Sequence, residues 1–109
     1  MLTLSIDQDS FEEIRSGRKK EEYREIKPYY TSKLVKDFPF TTMLRIPKHE
    51  EIRTVQFKVG VSPKAPKLLA NCSLTIDGGK EEWGAVPGEW YYVLKICNLV
   101  EADANKQNR

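Results

Sequence analysis

Gly17-Arg18-Lys19-Lys20-Glu21-Glu22-Tyr23-Arg24 joins a helix stop, a basic cluster and an alternation of Glu and Arg in one short run. Its reading turns on what precedes it. Leu2, Leu4 and Ile6 alternate with Thr3 and Ser5, the period of a half-buried strand. Asp7 follows as a good N-cap, with Ile6 and Phe11 placed as a hydrophobic staple across it. Phe11 and Ile14 then share a helical face, Glu12 and Glu13 fall early where the helix dipole favours acids, and Arg15 falls late. Gly17 ends the helix as its C′ residue. Strand, helix and glycine stop thus deliver the basic run at a fixed place in the fold.

Beyond the run, Lys20 to Ile26 reads as a second strand with Glu22, Arg24 and Ile26 on one face and Glu21, Tyr23 and Glu25 on the other. A strand this polar is not there only for packing. Pro28 ends it, Tyr29 and Tyr30 follow, and Thr31 to Asp37 is expected to form a single helical turn before Pro39. Met43, Leu44 and Ile46 suggest a short strand ended by Pro47. Thr54 to Val59 alternates cleanly, and Gly60 permits a sharp turn. Ser62 to Lys67 is a proline-stiffened basic loop, and Leu68 to Ile76 is a strand closed by a turn at Asp77-Gly78-Gly79. Glu89 to Val100 is apolar and aromatic on both faces and reads as a central strand.

Five to six strands with one N-terminal helix and short helical turns predict an α+β domain, a small curved β-barrel. With 109 residues the chain holds one core. The domain is expected over residues 1–100, with 101–109 as a polar tail that frays.

The formal charge of +2 is modest, but it is unevenly distributed: between Arg15 and Lys36 there are eight basic residues against three acidic ones. Such a local field attracts phosphate-bearing partners. No apolar run approaches the ~20 residues of a membrane helix. The N-terminus lacks a secretory pattern, so a cytoplasmic location with Cys72 and Cys97 reduced is expected, both read as small core residues. His49 lies between Lys48 and Glu50 in a charged loop and reads as a surface residue; with a single histidine and no cysteine pair at ligand spacing, neither a metal nor a cofactor is called for.

The spacing Gly17, Lys19, Glu22, Arg24, or G-x-K-x-x-E-x-R, resembles the signature of the ASCH domain, a small barrel related to the PUA (pseudouridine synthase and archaeosine transglycosylase) fold. Phe57-Lys58-Val59-Gly60, Trp83-Gly84 and Trp90-Tyr91-Tyr92-Val93-Leu94-Lys95 follow in the order such domains show, so the resemblance covers most of residues 2–100. It implies a cleft lined by the motif's Lys, Glu and Arg and a role in binding RNA or modified nucleosides. Some compact members are amidohydrolases that deacetylate acetylated cytidine, and others are suspected nucleases. In the amidohydrolases a threonine stands three residues after the motif lysine; here that position is Glu22, a carboxylate in place of a hydroxyl.

From the residues themselves, Glu22 and Arg24 share a strand face, where an ion pair holds a guanidinium ready for a phosphate or a base edge, or simply braces the barrel. Lys19 has the opposite parity, so it meets Glu22 only if the turn after Gly17 reorients it. If both converge in a dry cleft, Lys19 is a candidate base or nucleophile with Glu22 as proton shuttle. The leading expectation is a binder of RNA or a nucleotide-like ligand using Gly17, Lys19, Lys20, Glu22, Tyr23, Arg24 and Lys64. The alternative is a small hydrolase with Lys19 and Glu22 catalytic. Tyr23, Tyr29 and Tyr30 are candidates to stack bases or to pack at the rim, and Trp83 to cover a ligand or plug a barrel end.

Overall fold

The structure, a computed structural model, describes residues 1–44 and 51–100. Five strands form one sheet in the order β1-β3-β4-β5-β2, curled into a half-barrel and accompanied by three short α-helices. The strands are β1 (Leu2–Ser5), β2 (Glu21–Glu25), β3 (Ile52–Lys58), β4 (Lys67–Gly78) and β5 (Trp90–Val100). β1 runs parallel to β3, and the other pairings are antiparallel. Among the described residues no helix is long and apolar enough to cross a membrane.

The first helix, α1 (Gln8–Ser16), forms as its local signals dictate. The Asp7 carboxylate accepts from Ser10 N at 2.7 Å, and Gly17 takes the left-handed conformation (φ 87°) that releases the chain. Phe11 and Ile14 enter a core that also holds Leu4, Phe38, Val55, Phe57, Leu74, Tyr92 and Leu94.

Three expectations of secondary structure need correction. The second helix, α2, spans Pro28–Leu34, so it starts at the proline and carries both tyrosines rather than beginning after them. Pro28 sits where a helix needs no N–H donor, and its fixed φ starts the helix instead of merely ending the strand. Met43 and Leu44 lie in a third helix, α3 (Pro39–Leu44), not a strand. Its N-terminal amides are met from afar: buried Glu51 accepts from Phe40 N at 3.1 Å and from Thr41 N at 2.9 Å. Asp77 and Gly78, expected in a turn, continue β4 and pair with Tyr91 and Trp90. Ile46, Pro47, His49 and the tail from Glu101 lie outside the described residues.

β5 is central where β4 and β2 both flank it, and Tyr92, Val93 and Leu94 are buried there. Its ends are not covered. Trp90 is 64% exposed, and beyond Ile96, whose amide still bonds Lys20 O at 2.9 Å, β4 is the paired neighbour. A register shift between Asn71 and Cys72 pairs them with Asn98 and Ile96, leaving Cys97 as the extra residue of a bulge. Cys97 is therefore exposed rather than in the core, whereas Cys72 is buried; both thiols are free. Burial pushes the Cys72 thiol up to about 12.

Candidate functional site

The curled sheet leaves a seam between its two edge strands, β1 and β2, and the G-x-K-x-x-E-x-R run lies along it. Arg24, on β2, donates from Nη2 to the Ser5 carbonyl of β1 at 2.7 Å. Its Nη1 meets Glu22 Oε2 at 2.5 Å and the Tyr23 carbonyl at 2.7 Å. The Lys19 ammonium donates to Ser10 Oγ of α1 at 3.0 Å and lies 2.8 Å from Glu22 Oε1. That last contact is an ion pair at an angle a hydrogen bond would not use, so Oε1 has no directed donor among the described residues. Ser10 N in turn caps onto Asp7. A continuous polar chain thus runs Ser5, Arg24, Glu22, Lys19, Ser10, Asp7, leaving β1 and returning to the residue that starts α1.

Lys19 reaches this chain because the turn after Gly17 reorients it: it stands before β2 begins, with its amide donating to Glu13 O at 3.0 Å. The Lys19, Glu22 and Arg24 side chains are only 8%, 9% and 12% exposed. Two cations and one carboxylate leave a net positive charge in the seam. Asp7 answers part of it: hydrogen bonds from Ser10 first, and the Lys19 charge further, hold its carboxyl below the usual range.

The remaining expected residues scatter around this seam. Gly17 and Lys20 are exposed. Tyr23 faces away from Glu22: its phenol donates to Glu21 Oε1 at 2.7 Å and accepts from Lys80 N at 2.9 Å, while its ring meets Tyr91 at 5.4 Å. Burial drives that phenol well above the ordinary tyrosine range. Trp83, in a single 3-10 turn (Glu81–Trp83), donates from its indole to the Arg18 carbonyl at 3.0 Å and carries the Lys80 ammonium over its ring at 4.9 Å. It braces the motif's backbone. Lys64 is exposed in the β3–β4 connection. That connection lies at the Ser5 end of the sheet, where Ile6 N bonds Lys58 O and Val59 N bonds Pro66 O, both at 3.0 Å.

On the outer side of the seam a second constellation collects, only part of which the sequence reading singled out. Arg24 lies 6.0 Å and Lys27 5.6 Å from the Tyr30 ring centroid, and Lys33 lies 5.6 Å from that of Tyr29. The two rings meet edge to face at 5.0 Å, and Tyr29 is 60% exposed. With Leu4, Ser5 and Lys33 they border a hollow of about 100 Å³, too small to enclose a ligand of ordinary size, for which ~300–1,000 Å³ is usual. Next to it, Ser5, Lys58 and Lys67 are paired across three adjacent strands. The paired register puts the two lysines on the outer face beside Ser5. The signal for this patch was in the sequence as the basic excess from Arg15 to Lys36, but the cross-strand row needed the register. Among the described residues no group of His, Cys, Asp and Glu could hold a metal ion.

No family model matches the chain, and neither a curated protein nor a solved structure does.

Proposed function

We propose that the protein binds RNA or a nucleotide-like ligand on the basic face outside the β1–β2 seam. The observation that carries this reading is the half-exposed tyrosine pair of α2 with Arg24, Lys27 and Lys33 set against its rings, beside the cross-strand lysines Lys58 and Lys67. Phosphates need exposed cations and bases need exposed aromatic faces, and both occur together here. The resemblance of the motif to the ASCH signature points the same way. In this reading Lys19, Glu22 and Arg24 hold the face in shape from behind, Gly17 sets their approach, Tyr29 stacks, and Lys20, Lys27, Lys33 and Lys64 meet phosphate. The small volume of the hollow fits a strand laid across a surface better than a small molecule enclosed in a pocket.

Titration of short single-stranded RNA at several salt concentrations tests this. Binding is expected to weaken with salt, and Lys27→Ala or Lys33→Ala to flatten the logarithmic slope by roughly 0.7 each. Tyr29→Ala is expected to cost ~1–3 kcal/mol of affinity. Salt-independent binding, or none, sinks the reading.

One observation favours a second reading, a small hydrolase acting on a modified cytidine or on RNA. Lys19 and Glu22 sit 2.8 Å apart and buried, within reach of a proton transfer, and Glu22 Oε1 is left without a directed donor and so open to a substrate proton. A nucleoside-product assay on the same samples separates the two. Turnover abolished by Lys19→Met in a protein that remains folded would put the hydrolase first.

A further inference from the structure

A cleft of about 600 Å³ opens at the C-terminal end of β2, between Glu25 and Ile26 on one side and Val86, Glu89, Trp90 and Tyr91 on the other. Its far wall is prebuilt. Val86-Pro87-Gly88-Glu89 is a tight turn with Gly88 at φ 86° and Glu89 N bonded to Val86 O at 3.2 Å. The Tyr91 phenol accepts from Val86 N at 3.0 Å and so ties the turn to β5, while the Tyr23 ring backs Tyr91 at 5.4 Å. This turn delivers Trp90 at the strand's first position, where its β4 partner is Gly78 and its side chain stays mostly exposed. The cleft is therefore a preformed concavity, within the ~300–1,000 Å³ range of ligand sites, that displays a large aromatic side chain.

Its charge is opposite to that of the basic face. Among the described residues the Glu89 carboxylate has no hydrogen-bond or ion-pair partner. The Glu25 carboxylate already holds one cation, Lys27 Nζ at 2.8 Å, in a pair that is mostly exposed on both sides and so exchangeable. An indole face beside two carboxylates is the setting that attracts a flat, weakly hydrated cation, through the ring quadrupole and through paired N–H···O bonds. The same carboxylates repel phosphate.

We propose that this cleft binds an organic cation, a guanidinium or protonated amine, seated against Trp90 with Glu89 and Glu25 as its counter-charges. The inference does not rest on the RNA reading, since it uses an indole and carboxylates where that face uses tyrosines and lysines; the two sites meet only at Lys27, through its pair with Glu25. Two sources offer the chemistry, a free small cation or an arginine side chain of a peptide.

The test follows the indole N–H resonances of the full chain by NMR, with Trp83 as internal reference. The probes are arginine amide, acetyl-Gly-Arg-Gly amide, the neutral isostere citrulline amide, and cytidine. Saturable shifts at Trp90 and not at Trp83 with both arginine probes, weakened about tenfold by Glu89→Gln and absent with citrulline amide, are the expected result. Tighter binding of the peptide assigns the site to a protein arginine, and equal binding assigns it to a free cation. Equal shifts with citrulline amide, cytidine shifting Trp90 while arginine amide is silent, or no shift at all would each overturn the proposal. An unchanged Trp83 resonance in Glu89→Gln shows that the variant is folded.

Discussion

The seam between β1 and β2 and the cleft beneath Trp90 draw on successive residues of the same short strand and use the same kinds of residue in opposite ways. In the seam, Lys19, Glu22 and Arg24 are almost wholly buried, and each meets another charge or a backbone carbonyl. In the cleft, Glu25 and Trp90 are mostly exposed and Glu89 is unpaired among the described residues. Buried charges must satisfy one another, because a lone one costs several kcal/mol. That requirement turns the seam into a clasp that closes a half-barrel whose edge strands never pair. Exposed charges carry no such obligation and stay available to a ligand. The comparison implies that seam variants act on stability and that cleft and outer-face variants act on binding.

The hardest test of that division is Glu22→Gln. The change keeps the side chain's shape but leaves two buried cations without their carboxylate. Breaking a buried pair in this way costs ~3–5 kcal/mol, a large share of the ~5–15 kcal/mol a domain of this kind possesses. Urea unfolding monitored by circular dichroism measures it. A loss below ~1 kcal/mol, the usual worth of an exposed pair, would mean that the seam is solvated and the contrast false.

The two regions also differ in how far the sequence reveals them. The first helix was legible because its cap, staple and stop are local: Asp7 bonds three residues ahead, and Gly17 follows directly on the last turn. The clasp was half legible. Glu22 and Arg24 share a strand face by simple alternation, but strand parity put Lys19 on the wrong side until the turn bonded to Glu13 O brought it round. Arg24's carbonyl partner lies 19 residues away, on a strand to which β2 does not pair. The third helix was misread for the same reason, since its N-terminal acceptor is Glu51, 10 residues beyond Thr41. The cleft was missed because Trp90 fits the apolar alternation of β5. The sign that it caps the strand rather than fills the core is the Pro87-Gly88 turn just before it.

Gly79 offers a smaller perturbation that reaches the cleft from behind. A Cβ built there would stand 2.5 Å from the Ala85 Cβ and 2.7 Å from Tyr23 Cζ. Neither neighbour is free to withdraw, since Ala85 is buried with its amide bonded to Lys80 O, and the Tyr23 phenol is held by Glu21 and Lys80. Gly79→Ala is therefore expected to cost ~1–3 kcal/mol by overpacking. Because Tyr23 backs Tyr91, the variant should also move the Trp90 indole resonance while the seam's polar chain persists. An unaltered Trp90 signal in the destabilised variant would mean that the cleft wall does not depend on Tyr23.

The finest test concerns Asp7, the one seam-linked acid near solvent. Its carboxylate accepts from Ser10 N, and that bond, with the Ser10 hydroxyl and the Lys19 charge, lowers its proton affinity below the ordinary value of 3.8. A carboxyl whose folded affinity is depressed stabilises the fold fully above its unfolded value and loses that contribution as pH falls through the lower, folded one. Asp7→Ala should thus cost ~1 kcal/mol at neutral pH, the usual worth of an N-cap. The gap between wild type and variant should narrow only as the pH is taken below 3.8. Asp7→Asn, which keeps an acceptor oxygen without the charge, should recover most of the neutral-pH loss and show no extra acid sensitivity in that window. Paired urea titrations at neutral and acidic pH measure both. A constant Asp7→Ala gap down to strongly acidic pH would show that the cap acts by shape alone, and that the positive charge of the seam does not reach α1.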